Sequence, residues 1–247
     1  QRTATVLDQI SEAFERYEFF RFFQLLQNFC VADLSNFYLD IAKDRLYVSA
    51  PNDKRRRSCQ TVMALIIERL AAAIAPVLCH MAEDIWQNIP YPTGTESVFL
   101  SGWPSVPEEW RDDSLQAPMR ELRELRAAVN KVLEECRSKR KLGASLEAAV
   151  RIEARTPALK DALHWLQSKG DQEVDGLRDW LIVSQLQIGG EPWAELLASD
   201  DNELAVIEVA LSRGEKCERC WHYESDIGQH SDHPSLCGRC VSVLERR

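Results

Sequence analysis

Apolar residues recur every three or four positions through the first part of the chain, the spacing of amphipathic helices. Val6, Ile10, Phe14 and Tyr17 make one run. Phe22, Leu25, Leu26, Phe29, Leu34, Phe37, Leu39 and Ile41 make another, and the break near Glu18 predicts two helices between Thr5 and Leu46. Pro51 and Asn52 mark a turn. A third helix is expected from about Asp53 to Ala73, apolar at Val62, Leu65, Ile66 and Leu70, with Pro76 kinking or ending it. The stretch from Val77 to Ile89 predicts a fourth, stopping at Pro90. Four such helices joined by short turns predict a bundle.

The pattern then changes. "PYPTGTESVFLSGWPSVPEEW", rich in turn residues, reads as an ordered surface connection and a domain boundary. A long charged helix is expected from Leu115 to Lys139, apolar at Leu122, Leu125, Val129, Val132 and Leu133. "ASLEAAVRIEA" alternates: Leu146, Ala148, Val150, Ile152 and Ala154 fall on one side, and Glu147, Arg151 and Glu153 on the other, as in a half-buried strand. Thr156 and Pro157 suit the cap and first position of a helix running to about Gln167. "DWLIVSQLQI" and "LAVIEVALS" are expected strands. The predicted fold is mainly α: a helical bundle over 1–112, a long helix with a small α+β module over 113–212, and a cysteine element over 213–247.

Charge and composition adjust this picture in two ways. No apolar run reaches the eighteen or so residues of a membrane span, so a membrane partner is not expected. The net charge of −9 disfavours general affinity for polyanions, yet it is unevenly spread. Arg120 to Arg155 holds ten Lys or Arg against six acids, whereas Glu191 to Glu208 holds six acids and no Lys or Arg, so any phosphate contact is expected in the basic stretch. Gln1 opens what already reads as helix interior, and the chain is expected to be the C-terminal piece of something longer.

Four of the eight cysteines lie in "CERCWHYESDIGQHSDHPSLCGRC". Cys217 and Cys220 enclose two residues, and so do Cys237 and Cys240, the two-turn spacing of a tetrahedral thiolate site with no position left open for chemistry. One structural zinc is the expected occupant; mononuclear iron and a pair of disulfides are the rivals. Cys30, Cys59, Cys79 and Cys136 sit singly, as thiols do in a reducing compartment, which suggests the cytoplasm. His222, His230 and His233 could each replace a thiolate, but four cysteines already fill the shell.

These segments resemble the C-terminal third of bacterial isoleucyl-tRNA synthetase, a class I aminoacyl-tRNA synthetase. The resemblance rests on "NFCVADLSNFYLDIAKDRLYV", "VMALIIERLAAAIAPVLCHMAEDIWQNIP", "SVFLSGWP", "KLGASLEAAV", "GEKCERCWHY" and "CGRCV". It implies a class I anticodon-binding bundle, a small α+β region, and a zinc tail that helps hold the anticodon end of isoleucine tRNA. The family's ATP-binding signatures, His-Ile-Gly-His and Lys-Met-Ser-Lys-Ser, do not occur here, so ATP chemistry would belong to the rest of a synthetase chain N-terminal to Gln1. No carboxylate pair, Ser and His pairing or activated thiol stands out as catalytic.

Given a polyanionic partner, Arg137, Lys139, Arg140 and Lys141 become candidate phosphate contacts, against the alternative of a solvated helix end. Lys54 to Arg57 at a helix start is as readily a solvated turn. Trp221 could cover the metal turn or stack on an unpaired base, with Arg219, His222 and Arg239 as neighbouring phosphate or base partners. Trp86 and Trp165 read as core, and Cys136 as a bystander. The alternative function is a stand-alone nucleic-acid-binding module with a zinc finger like that of formamidopyrimidine-DNA glycosylases. Gln1, Arg2 and Thr3 lack the N-terminal proline and glutamate of that family's catalysis.

Overall fold

The computed structural model describes residues 1–169 and 176–245. The chain divides into two compact units, one of residues 1–46 and 51–113 and the other of 47–50 and 114–247.

The first unit is helical. Helix α1 (Arg2–Glu15) ends where Tyr17 takes a left-handed φ of 57°, which turns the chain at the expected break. Helix α2 (Phe19–Asn28) runs without interruption through a π-helical stretch, Phe29–Leu39, into α3 (Asp40–Tyr47). Helix α4 (Lys54–Ile74) starts at Asp53, whose carboxylate accepts from the Arg55 and Arg56 amides, and ends just before Pro76. Helix α5 (Cys79–Gln87) follows. Val6, Ile10, Phe22, Phe29, Trp86 and the small residues Ala71, Ala73 and Ala82 make the core. Apart from Cys59, the buried residues of α4 are Ala71, Ala72, Ala73 and Ile74 in its last turns. Val62, expected on the apolar face, is exposed. Of the clustered phenylalanines Phe22 is buried, while Phe19, Phe20 and Phe23 are exposed.

In the second unit α6 (Gln116–Ser138) lays Leu122, Leu125, Val129, Val132 and Leu133 against a four-stranded sheet. The strands are β1 (Ala148–Ala154), β2 (Gln185–Ile188), β3 (Ala198–Asp201) and β4 (Ala205–Leu211), in the order β2-β1-β4-β3. β1 is parallel to β2 and antiparallel to β4. The chain reaches β2 through α7 (Pro157–Lys169) and α8 (Gly176–Leu181), as parallel strands require. Thr156 Oγ1 accepts from the Leu159 amide, the expected cap. Cys136 is buried in this core, and burial pushes its thiol pKa up, as suits a bystander.

Two expectations need correction. "DWLIVSQLQI" is not one strand: its first residues complete α8, where Leu177 and Leu181 fall one helical turn apart in the core, and only Gln185–Ile188 pair. β1 is not half-buried either. It lies inside the sheet, and Arg151 is 3% exposed. The Arg151 guanidinium meets buried Glu208 at 3.2 Å and Glu153 at 2.8 Å, and donates to the Gly189 and Gly190 carbonyls at 3.2 and 2.7 Å. The chain after β2 folds back over this face, so the side that alternation assigns to solvent holds a buried ion pair.

Candidate zinc knuckle and nucleic-acid surface

The cysteine element is built from a hairpin and a helix. β5 (Glu215–Lys216) pairs antiparallel with β6 (Tyr223–Glu224), and the hairpin loop is the first Cys-x-x-Cys turn. Gly214 enters it at φ 96°, where an added Cβ would lie 2.4 Å from the Glu224 carbonyl oxygen, so only glycine fits. The Cys217 amide donates to the His222 carbonyl at 2.8 Å, and the Trp221 amide to the Cys217 carbonyl at 2.9 Å. The second turn opens α9 (Gly238–Glu245), which carries Cys240; the Asp226 carboxylate accepts from the Gly238 amide at 2.7 Å and caps this helix. Ser184 Oγ accepts from the Tyr223 amide, and Arg178 reaches Glu224, so the hairpin is seated on the α+β module.

This arrangement brings the sulfurs of Cys217, Cys220, Cys237 and Cys240 within 4.8 Å of one another, all four residues buried. A tetrahedral zinc with Zn–S bonds of about 2.3 Å needs sulfurs about 3.8 Å apart. Cys220 and Cys237 sulfurs lie 3.7 Å apart, and no cysteine is in a disulfide. The donor set is compatible with one structural zinc, and the disulfide rival is set aside. Nearby donors suit thiolate charge: the Cys237 amide points at Cys217 Sγ at 3.4 Å, and Arg219 Nη1 at Cys240 Sγ at 3.5 Å. Without metal, hydrogen bonds from Cys237 and Cys240, helped by Arg239, hold Cys220 well below the usual thiol range. The reciprocal bond with Cys220 pushes the Cys237 thiol up. Zinc would displace the remaining protons.

The candidate nucleic-acid residues divide sharply. His222 is buried, 4% exposed. Arg219 turns inward, its Nη2 donating to the Val48 carbonyl at 2.6 Å. Arg239 lies close enough to Cys220 to favour its thiolate. Trp221 is the opposite case, 61% exposed at a left-handed φ of 67°. That backbone costs a non-glycine residue roughly 1–2 kcal/mol. The indole therefore does not form the miniature core that would justify it; one face carries the Lys216 ammonium 5.4 Å from the ring centroid.

The basic run lies at the C-terminal end of α6, where Arg140 takes a left-handed φ of 56° and the Lys141 amide closes on the Cys136 carbonyl. Arg137 pairs with Glu134 and donates to Ser145, Lys139 pairs with Glu135, and Lys141 donates to the Leu197 carbonyl. Arg140 has no side-chain partner among the described residues. Sequence reasoning missed Lys216, whose only signal is its place one residue before Cys217. Among the described residues no helix is long and apolar enough to cross a membrane.

Residues 1–152 match the anticodon-binding domain of tRNA ligase, and residues 214–243 match the zinc finger found in FPG and IleRS. All 247 residues align at 95% identity with 26% of an isoleucine–tRNA ligase of Synechococcus sp. (strain CC9311). They align at 73% identity with 26% of one from Prochlorococcus marinus (strain MIT 9313), and at 74% with 25% of one from Parasynechococcus marenigrum (strain WH8102). The chain spans about a quarter of the length of these relatives. With its helical first unit and a four-cysteine cluster compatible with one structural zinc, the chain belongs to the family of tRNA-ligase anticodon-binding domains.

Proposed function

We propose that this chain is the tRNA-recognition region of an isoleucine–tRNA ligase, binding the anticodon end of isoleucine tRNA while a longer cytoplasmic synthetase supplies the chemistry with ATP. Residues 1–112 act as the anticodon-binding bundle, 113–212 as a support, and 213–247 as a tail folded around one zinc held by Cys217, Cys220, Cys237 and Cys240. Trp221 carries the reading. An exposed indole in a strained backbone gains only the Lys216 contact on one face, about 0.5–1 kcal/mol, whereas stacking on an unpaired base is worth about 1–3 kcal/mol. Of the cations, Arg140 is ready to meet a phosphate at once, and Lys139 and Lys141 would exchange internal partners for one; Arg219, His222 and Arg239 act by shaping the turn.

Filter binding of the zinc-loaded chain to isoleucine tRNA, another tRNA and duplex DNA tests this. Preference for isoleucine tRNA is the expected result. Equal or stronger binding to duplex DNA would favour the stand-alone module with a glycosylase-like finger.

A further inference from the structure

The apolar wall of the thiolate cluster comes partly from a distant piece of chain. Val48, 8% exposed, packs with the four cysteines, and Ile227 and Leu236 complete the group. Its neighbour Tyr47 is 79% exposed, so within this turn the valine is the residue that is inserted. The Val48 carbonyl receives the 2.6 Å bond from Arg219, 171 residues away in sequence, while the same guanidinium lies 3.5 Å from Cys240 Sγ. A planar fork can serve two acceptors in fixed directions, which a lysine ammonium cannot do with the same geometry.

We propose that the Tyr47–Ala50 turn is part of the zinc site: Val48 shields the zinc-facing sulfurs from water, and Arg219 is a positioning residue that locks this turn to Cys240. Four thiolates around a divalent zinc leave a net charge of −2, which a neighbouring guanidinium offsets. An apolar cover slows water's access to the metal–sulfur bonds, and groups that support ligands in this way change metal affinity by about 10–100-fold. Zinc retention and the order of residues 47–50 therefore depend on each other. The inference rests on zinc at the four cysteines, which the metal content of the unaltered chain reads separately.

The test uses the full zinc-loaded chain and a chromophoric chelator. Arg219→Gln and Val48→Asp, which sets a carboxylate against thiolates, should each release zinc about 10-fold faster or more. With cobalt in place of zinc, Arg219→Gln should move the sulfur-to-metal charge-transfer band to longer wavelength, because a lost N–H···S bond raises the sulfur donor level. In the unaltered chain, stripping zinc should speed amide hydrogen exchange at residues 47–50 and leave α1 unchanged. Wild-type release rates in both variants, or exchange at 47–50 that ignores zinc, would overturn the proposal.

Discussion

The α+β module and the cysteine tail adjoin each other yet hold together by different means. Among the described residues the module buries nineteen in one apolar core, whereas the cluster at the tail buries five, the four cysteines and Val48. At about 25 cal/mol per Å² of buried apolar surface, the module can meet the entropy of folding by packing. The tail cannot, and its stability must come from metal–thiolate bonds. A segment that needs no large core can leave a tryptophan exposed, as Trp221 is.

The largest effect should come from breaking the metal side of this contrast. Structural zinc sites carry about 10–16 kcal/mol of binding free energy that is also folding free energy. Chelation, or Cys237→Ser, should therefore unfold residues 214–245 while the module keeps its amide protection. Hydrogen exchange resolved by segment distinguishes this from a tail that survives metal loss, which would contradict the contrast. Acid should act the same way, since zinc needs all four thiols deprotonated; stability of the tail should fall as pH falls, with zinc release marking the transition.

Next in size is the buried pair of the module. Arg151→Met leaves Glu208 buried without its cation and should cost about 3–5 kcal/mol in urea unfolding. Replacing both residues by apolar ones should recover most of that loss, because desolvation of the charges is then avoided. A single mutant with wild-type stability would show that water reaches this face. Leu133→Ala, which opens a cavity in the same core, should cost about 2–5 kcal/mol and leave the zinc content at one per chain.

The four-cysteine site was legible because its signal is spacing alone, and the helical first unit because long periodic runs are hard to disguise. Arg151 was misread since alternation reports two faces but not whether the second is covered. The short helix α8 was hidden in an apolar run too brief to show its period. β3, with Ala198, Ser199, Asp200 and Asp201, has little strand character of its own and exists by pairing with β4. The inward turn of Arg219 depends on Val48, a contact that local sequence cannot display. Trp221 could be named from sequence, but its left-handed backbone and its exposure could not.

A smaller effect is expected at the end of α6. Each lost phosphate contact should reduce the salt dependence of tRNA affinity by about one unit of slope. Arg140→Ala alone should remove one contact, and adding Lys139→Ala and Lys141→Ala should remove up to two more. A slope unchanged in the triple variant would leave this run as a solvated helix end.

Trp221→Gly offers the most direct test that the tail exists to present a base-stacking ring. Glycine is unstrained at φ 67°, so the variant should keep one zinc and a folded tail. Affinity for isoleucine tRNA and zinc content should be measured on the same preparation. The account predicts intact zinc with tRNA binding weakened by about 1–3 kcal/mol, partly restored in Trp221→Phe. Intact zinc with wild-type tRNA affinity would contradict it.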